Sequence, residues 1–90
     1  MQEQRFVDEA QSLLECTAKA LVDKSEDVIV TLTSGNPTGG GTKIFGLRCN
    51  KQDLGKLIGK MGRTATAIRT ILNAVAAKHN CRVVLDIDED

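Results

Sequence analysis

Gly59-Lys60-Met61-Gly62 is the segment that most limits what this chain can fold into. Two glycines bracket two residues. A short apolar-patterned segment, Leu54, Leu57 and Ile58, precedes them, and a long helical pattern comes after. Glycine permits backbone conformations closed to other residues, and it lets a second backbone come close. The spacing predicts a short helix that stops at Gly59, a tight turn, and a helix that restarts at about Arg63. A turn that ends on a helix start offers unpaired N–H groups and the positive end of the helix dipole to an anion. Lys56, Lys60 and Arg63 flank the turn, which points to phosphate as that anion.

The rest of the chain reads as a small α+β unit. Residues 3–22 form an amphipathic helix, with Phe6, Ala10, Leu13, Leu14, Thr17, Ala18, Leu21 and Val22 at helical spacing. Residues 28–33 are β-branched and short, which predicts a strand. The stretch 34–41 holds four glycines, Asn36 and Pro37, and reads as a flexible hairpin connection, without the spacing of a phosphate-binding P-loop. Residues 43–49 give a second strand with Phe45, Leu47 and Cys49 on one face. Asn50 is placed to cap the short helix after it, and Asp53 adds negative charge to the first turn. The long helix over 63–78 carries Ala65, Ile68, Leu72 and Val75, widened by Ile71 and Ala76, and Asn80 can end it. Residues 82–88 alternate as a third strand, with Val83, Leu85 and Ile87 facing one way and Val84 as the exception. The order α-β-β-α-α-β predicts one domain with a three-stranded sheet covered on one face by helices, its core spanning about 3–88. The second and third strands can be parallel neighbours through the two-helix connection.

Charge is distributed in blocks although the chain of 90 residues is neutral overall. Residues 1–47 hold four cations and seven anions, residues 48–82 hold eight cations and one anion, and the tail over 86–90 holds four acids. A basic middle between acidic ends fits a polyanionic partner, or else a solvated face balanced by its own acids. No apolar run is long enough to span a bilayer, and the N-terminus lacks an apolar signal core, so no membrane insertion and a cytoplasmic location are expected. Cys16, Cys49 and Cys81 are widely spaced and read as small buried hydrophobes, with no disulfide framework and no metal site. His79 lies near Cys81. It reads as a capping or surface histidine, with a thiol–imidazole pair as the alternative. No catalytic constellation and no cofactor are expected.

The string Gly55-Lys56-Leu57-Ile58-Gly59-Lys60-Met61-Gly62-Arg63, followed by Ala67-Ile68-Arg69-Thr70, resembles the core motif of KH domains. More closely, the chain resembles the small bacterial KH-domain RNA-binding proteins of the KhpA family. The element order is similar to the type II KH arrangement, and the likeness runs from the first helix through Val83-Val84-Leu85. The resemblance implies binding of single-stranded RNA, with a role as a post-transcriptional regulator or RNA chaperone. It also implies a homodimer, or a heterodimer with a larger KH-domain protein. KH modules clamp the nucleic-acid backbone at the Gly-x-x-Gly loop.

On that basis the RNA-binding residues are expected to be Lys56, Ile58, Gly59, Lys60, Met61, Gly62, Arg63 and Arg69. The glycines admit the sugar-phosphate chain, and Lys60 and Met61 stand at the exposed tip. Arg63 pairs phosphate from the helix start, and Lys56 adds charge. Leu57 belongs to the core, and Ile58 divides between core and groove. Arg69 either continues the side of the helix marked by Arg63 or is a plain solvent-facing arginine. The acidic tail weakens binding if it folds over the basic surface. The rival reading is a protein-interaction module that uses the same loop for pairing. A DNA-reading helix-turn-helix fits poorly, because the exposed part of 63–79 is rich in alanine and threonine. Phe6 and Phe45 are the only aromatic residues, so a base-stacking sheet is ruled out.

Overall fold

Alternation along three short strands makes one largely apolar sheet face, and two helices are shaped to cover it. In a computed structural model, residues 2–34 and 42–88 are described. The elements are α1 (Gln2–Leu21), β1 (Ile29–Ser34), β2 (Thr42–Arg48), α2 (Leu54–Ile58), α3 (Arg63–Lys78) and β3 (Arg82–Ile87). The strand order is β1-β2-β3. β1 and β2 are antiparallel, with Val30 opposite Leu47 and Leu32 opposite Phe45. β2 and β3 are parallel, with Phe45 opposite Leu85 and Leu47 opposite Ile87. The expected element order and the parallel pair are therefore present. The glycine-rich stretch beyond Ser34 and the last two acids of the tail lie outside the described residues.

Helical spacing decides what each helix buries. On α1, Phe6, Ala10, Leu14 and Ala18 recur every four residues and are buried, and Val22 comes next in the same register. Phe6 meets Phe45 edge to face at 6.4 Å between ring centres, so both aromatic rings are spent in the core. On α3, Ala65, Ile68, Leu72 and Ala76 are buried, and Val75 is half-buried. Two expected core positions fail. Ile71 is 52% exposed and Leu21 is also exposed. Ile71 sits about 100° around the helix from Leu72. The three-stranded sheet, already shared with α1, leaves α3 only a narrow strip to bury. On β2 the alternation also carries Lys43 onto the core face beside Phe45 and Leu47, where it is fully buried.

The cysteines and the histidine depart from expectation. Cys16 is exposed on the outer side of α1, and Cys49 and Cys81 are only half-buried; all three thiols are free. His79 does cap α3, but it is buried rather than at the surface, with Nε2 2.9 Å from Glu9 Oε1 on α1. The Cys81 thiol donates to the backbone oxygen of His79, so the hydrogen bond of this neighbour does not go to the imidazole. Asn80 takes φ 57 and ends the helix: its N–H donates to Ala77 O and the Cys81 N–H donates to Ala76 O, the paired bonds of a left-handed helix stop.

The α2–α3 connection is a single 3-10 turn, Lys60–Gly62. Gly59 takes φ 77 and ψ 173, Met61 φ 58 and ψ 27, and Gly62 φ 75 and ψ 11. Gly59 occupies a region that is essentially glycine-only, and Gly62 and Met61 lie in the left-handed region. A Cβ on Gly59 would fall 2.6 Å from Thr64 Cβ and 2.8 Å from the Thr64 amide nitrogen, whereas a Cβ on Gly62 would meet nothing within 4 Å. Leu57, fully buried, pins the near side of the turn. On the same side Asn50 Oδ1 accepts from the Gln52 N–H, but the turn it caps is a 3-10 turn, Lys51–Asp53, that precedes α2, and the N-cap of α2 itself is Asp53. Asp53 does more than the expected first-turn charge. It is 2% exposed, its Oδ2 accepts from the Lys24 N–H at 2.9 Å, and its Oδ1 pairs with Lys56 at 3.1 Å.

These contacts set two expectations for stability. Gly59→Ala should destabilise the protein by about 3 kcal/mol, because strain adds to a clash with Thr64, and Gly62→Ala by about 1 kcal/mol from strain alone. Urea denaturation monitored by circular dichroism checks the order. The second concerns acid. The Lys24 amide and the Lys56 ammonium hold Asp53 below its usual 3.8, and His79 and Lys78 hold Glu9 below its usual 4.5. A carboxylate lowered in the folded state contributes stability that is complete above its unfolded value and lost as pH falls through its folded value. Stability should therefore decline from just above those usual values downward, and Asp53→Asn or Glu9→Gln should flatten that decline in denaturation midpoints taken across acid pH.

Candidate nucleic-acid interface

The turn presents side chains outward and spends part of its backbone inward. Met61 is 88% exposed at the tip, and Lys60 and Arg63 are exposed on either side. The Gly62 N–H donates to Gly59 O at 3.1 Å, and the Arg63 N–H donates to Lys60 O. These two amides are committed to the turn itself. No side chain caps the start of α3. Ile58 is half-exposed just before Gly59, in keeping with a position between core and surface.

The basic block of the sequence is partly neutralised in three dimensions. Lys56 Nζ lies 2.8 Å from Asp23 Oδ2 and 3.1 Å from Asp53 Oδ1, and these carboxylates push its pKa up. Arg48 Nε pairs with Asp88 of the acidic tail at 3.3 Å, and Lys78 with Glu9 at 3.3 Å. Among the described residues, Lys60 and Arg63 have no carboxylate partner, and neither do Lys51 and Arg82. The structure therefore brings Gly59, Lys60, Met61, Gly62 and Arg63 together as one exposed surface and holds Lys56 back in an ion-pair network. Of its two partners only Asp23 is exposed and held weakly, so an anion competes for Lys56 against Asp23 more readily than against the buried Asp53.

Arg69 is exposed, as the solvent-facing reading has it, but it is tied to the backbone and does not share the side of α3 marked by Arg63. Six residues after Arg63 it lies roughly 9 Å along α3 and about 120° around it. Its Nε and Nη2 both donate to the backbone oxygen of Leu85 on β3, each at 3.3 Å. Beside it is a cleft of about 210 Å³ between α3 and β3, lined by Arg69, Leu72, Asn73, Val83, Val84 and Leu85. Leu72 and Val83 make apolar walls, and Arg69 and Asn73 bring polar groups to the rim. Sequence reasoning does not single out this cleft. Its one visible sign is Val84, an apolar residue on the polar side of an alternating strand. Among the described residues no group of side chains could hold a metal ion, and no helix is long and apolar enough to cross a membrane.

Comparison with known proteins agrees with this layout. The family model "KhpA/KhpB, KH domain" matches residues 11–87. The "RNA-binding protein KhpA" of Clostridium perfringens strain 13 is 47% identical over 75 residues, covering 83% of this chain and 95% of that protein. The protein of the same name from Aquifex aeolicus is 47% identical over 77 residues, covering 86% of this chain and 92% of that protein. The one from Borreliella burgdorferi is 45% identical over 75 residues, 83% of this chain and 87% of that protein. No solved structure gives a significant match. With the α-β-β-α-α-β order, the mixed three-stranded sheet and the Gly59–Gly62 turn between its last two helices, the chain belongs to the KhpA/KhpB family of KH domains.

Proposed function

We propose that the protein is a non-catalytic, cytoplasmic RNA-binding protein that clamps the backbone of single-stranded RNA at the Gly59–Gly62 turn, as a post-transcriptional regulator or RNA chaperone. The observation that carries this reading is the pairing of a bulk-free, solvent-facing turn with Lys60 and Arg63, two cations whose charge no carboxylate in the described residues offsets. Its relatives named RNA-binding protein KhpA support the ligand class. Ribose and phosphate approach past Gly62, whose Cβ direction is open, while the space beside Gly59 is taken by Thr64. Lys60 pairs one phosphate, and Arg63 takes another in a forked contact. The cleft beside Arg69 receives a base against Leu72 and Val83. Lys56 contributes charge from the near side to the extent that phosphate competes with Asp23 and Asp53.

The two phosphate contacts at the turn contribute only about −1.4 to the slope of log K against log salt, so a single module binds weakly. Dimerisation, with a second copy or with a larger KH-domain protein, would raise affinity through effective concentration. The alternative reading, a pairing module with RNA binding secondary, is favoured by one observation: a methionine 88% exposed at the tip suits an apolar protein contact as well. Salt separates the two, because apolar pairing persists where phosphate binding fades.

The decisive variant is Lys60→Asp combined with Met61→Asp, with both glycines kept. Aspartate tolerates the positive φ of position 61 better than methionine, so the fold should be preserved. Binding of a short single-stranded RNA at low salt is expected to fall by at least roughly tenfold, given loss of one charge-assisted contact and added repulsion. A variant with unchanged circular dichroism and unchanged RNA affinity would overturn the clamp.

A further inference from the structure

β3 is an edge strand, and its backbone faces are assigned by one bond. The Asp88 N–H donates to Leu47 O at 2.9 Å, so the even-numbered residues at this end of β3 turn their amide groups toward β2. Leu85 is out of phase with them. Its side chain is buried, and its carbonyl points away from the sheet, toward α3 and the cleft. That acceptor is a group a ligand in the cleft would meet. In the free protein Arg69 fills it.

The contact is a poor use of an arginine. Two donors converge on one neutral oxygen at 3.3 Å each, beyond the usual N–H···O range. Among the described residues no carboxylate pairs with this guanidinium. A phosphodiester offers what Leu85 lacks: two charged oxygens matched to the guanidinium fork. An arginine holding a weak neutral partner, at the rim of a cleft whose ligand brings an anion, has reason to move.

We propose that Arg69 is a displaceable latch on the α3–β3 cleft. In the free protein its guanidinium occupies the Leu85 carbonyl. An entering nucleotide takes over that carbonyl with a base N–H, and the released guanidinium turns to the phosphodiester of the same strand. The latch satisfies an outward carbonyl on an exposed edge when no RNA is present, and it selects ligands that carry a base donor and a phosphate together. It rests on the reading of the Gly59–Gly62 turn as an RNA clamp.

The test is a titration of the isotope-labelled full chain with a single-stranded oligoribonucleotide, monitoring the Lys60 and Met61 amides together with the Arg69 Nε–H by NMR. Salt slopes are measured in parallel for Arg69→Gln and Arg69→Lys. Glutamine keeps a donor for Leu85 and loses the charge, so its slope should be shallower than the parent's by about 0.7, while lysine should keep the parent slope. The expected result is that the loop amides and the Arg69 Nε–H shift together. Loop shifts with a stationary Arg69 Nε–H, or an unchanged slope in Arg69→Gln, overturn the latch and leave the clamp standing. An absence of shifts at both places overturns the clamp and the latch with it.

Discussion

The backbone passes from α2 to α3 through a single three-residue 3-10 turn by repeatedly entering positive φ. Gly59, Met61 and Gly62 all do so. Everything that positions the candidate interface depends on that constraint. Gly59 must lack a side chain because Thr64 stands where its Cβ would be. Leu57, in the core one turn earlier, and Ala65, in the core just after, fix both sides of the bend. The tip is thereby thrust into solvent while its flanks are immobilised. Met61 accepts a left-handed conformation that disfavours it, and such strain concentrates where a protein meets its ligands.

Electrostatics at the interface is local. The sequence presents eight cations against one anion over 48–82, but the fold returns carboxylates from α1, from the connection after it and from the residue just past β3 to Lys78, Lys56 and Arg48. Among the cations left without a carboxylate, Lys60 and Arg63 stand on either side of the tip. A neutral protein can in this way carry a focused positive surface, attractive to a polyanion at short range and screened beyond about 10 Å at ordinary salt.

Much of the fold can be read from residues alone, for identifiable reasons. α3 runs from Arg63 to Lys78 as its spacing requires, because Gly62 and Asn80 bound it with strong conformational signals. The strands declare themselves through β-branched alternation. Residue patterns mislead where partner surfaces decide. Periodicity assigns Ile71 and Leu21 to a stripe, but the width of the available sheet determines how much of a stripe is covered. Residue type makes Cys16 a core candidate, and its place on the helix overrules that. The buried state of Asp53 and His79 arises with long-range contacts, Lys24 with Asp53 and Glu9 with His79. Within the interface, the turn is evident in the sequence, but the cleft is not. It exists only because α3 and β3 meet, and nothing local in Leu72 or Val83 announces it.

The exposed tip has an evolutionary corollary. Side chains at 60 and 61 touch no part of the core, so replacing them changes what the loop offers a partner at little penalty to folding, provided position 61 avoids β-branched residues that resist positive φ. Under the proposed clamp, stability and recognition would be encoded in separate letters of a four-letter segment, the outer glycines governing shape and the inner pair governing taste. On that reading a lineage would retune its ligand preference through two codons without renegotiating the architecture beneath them.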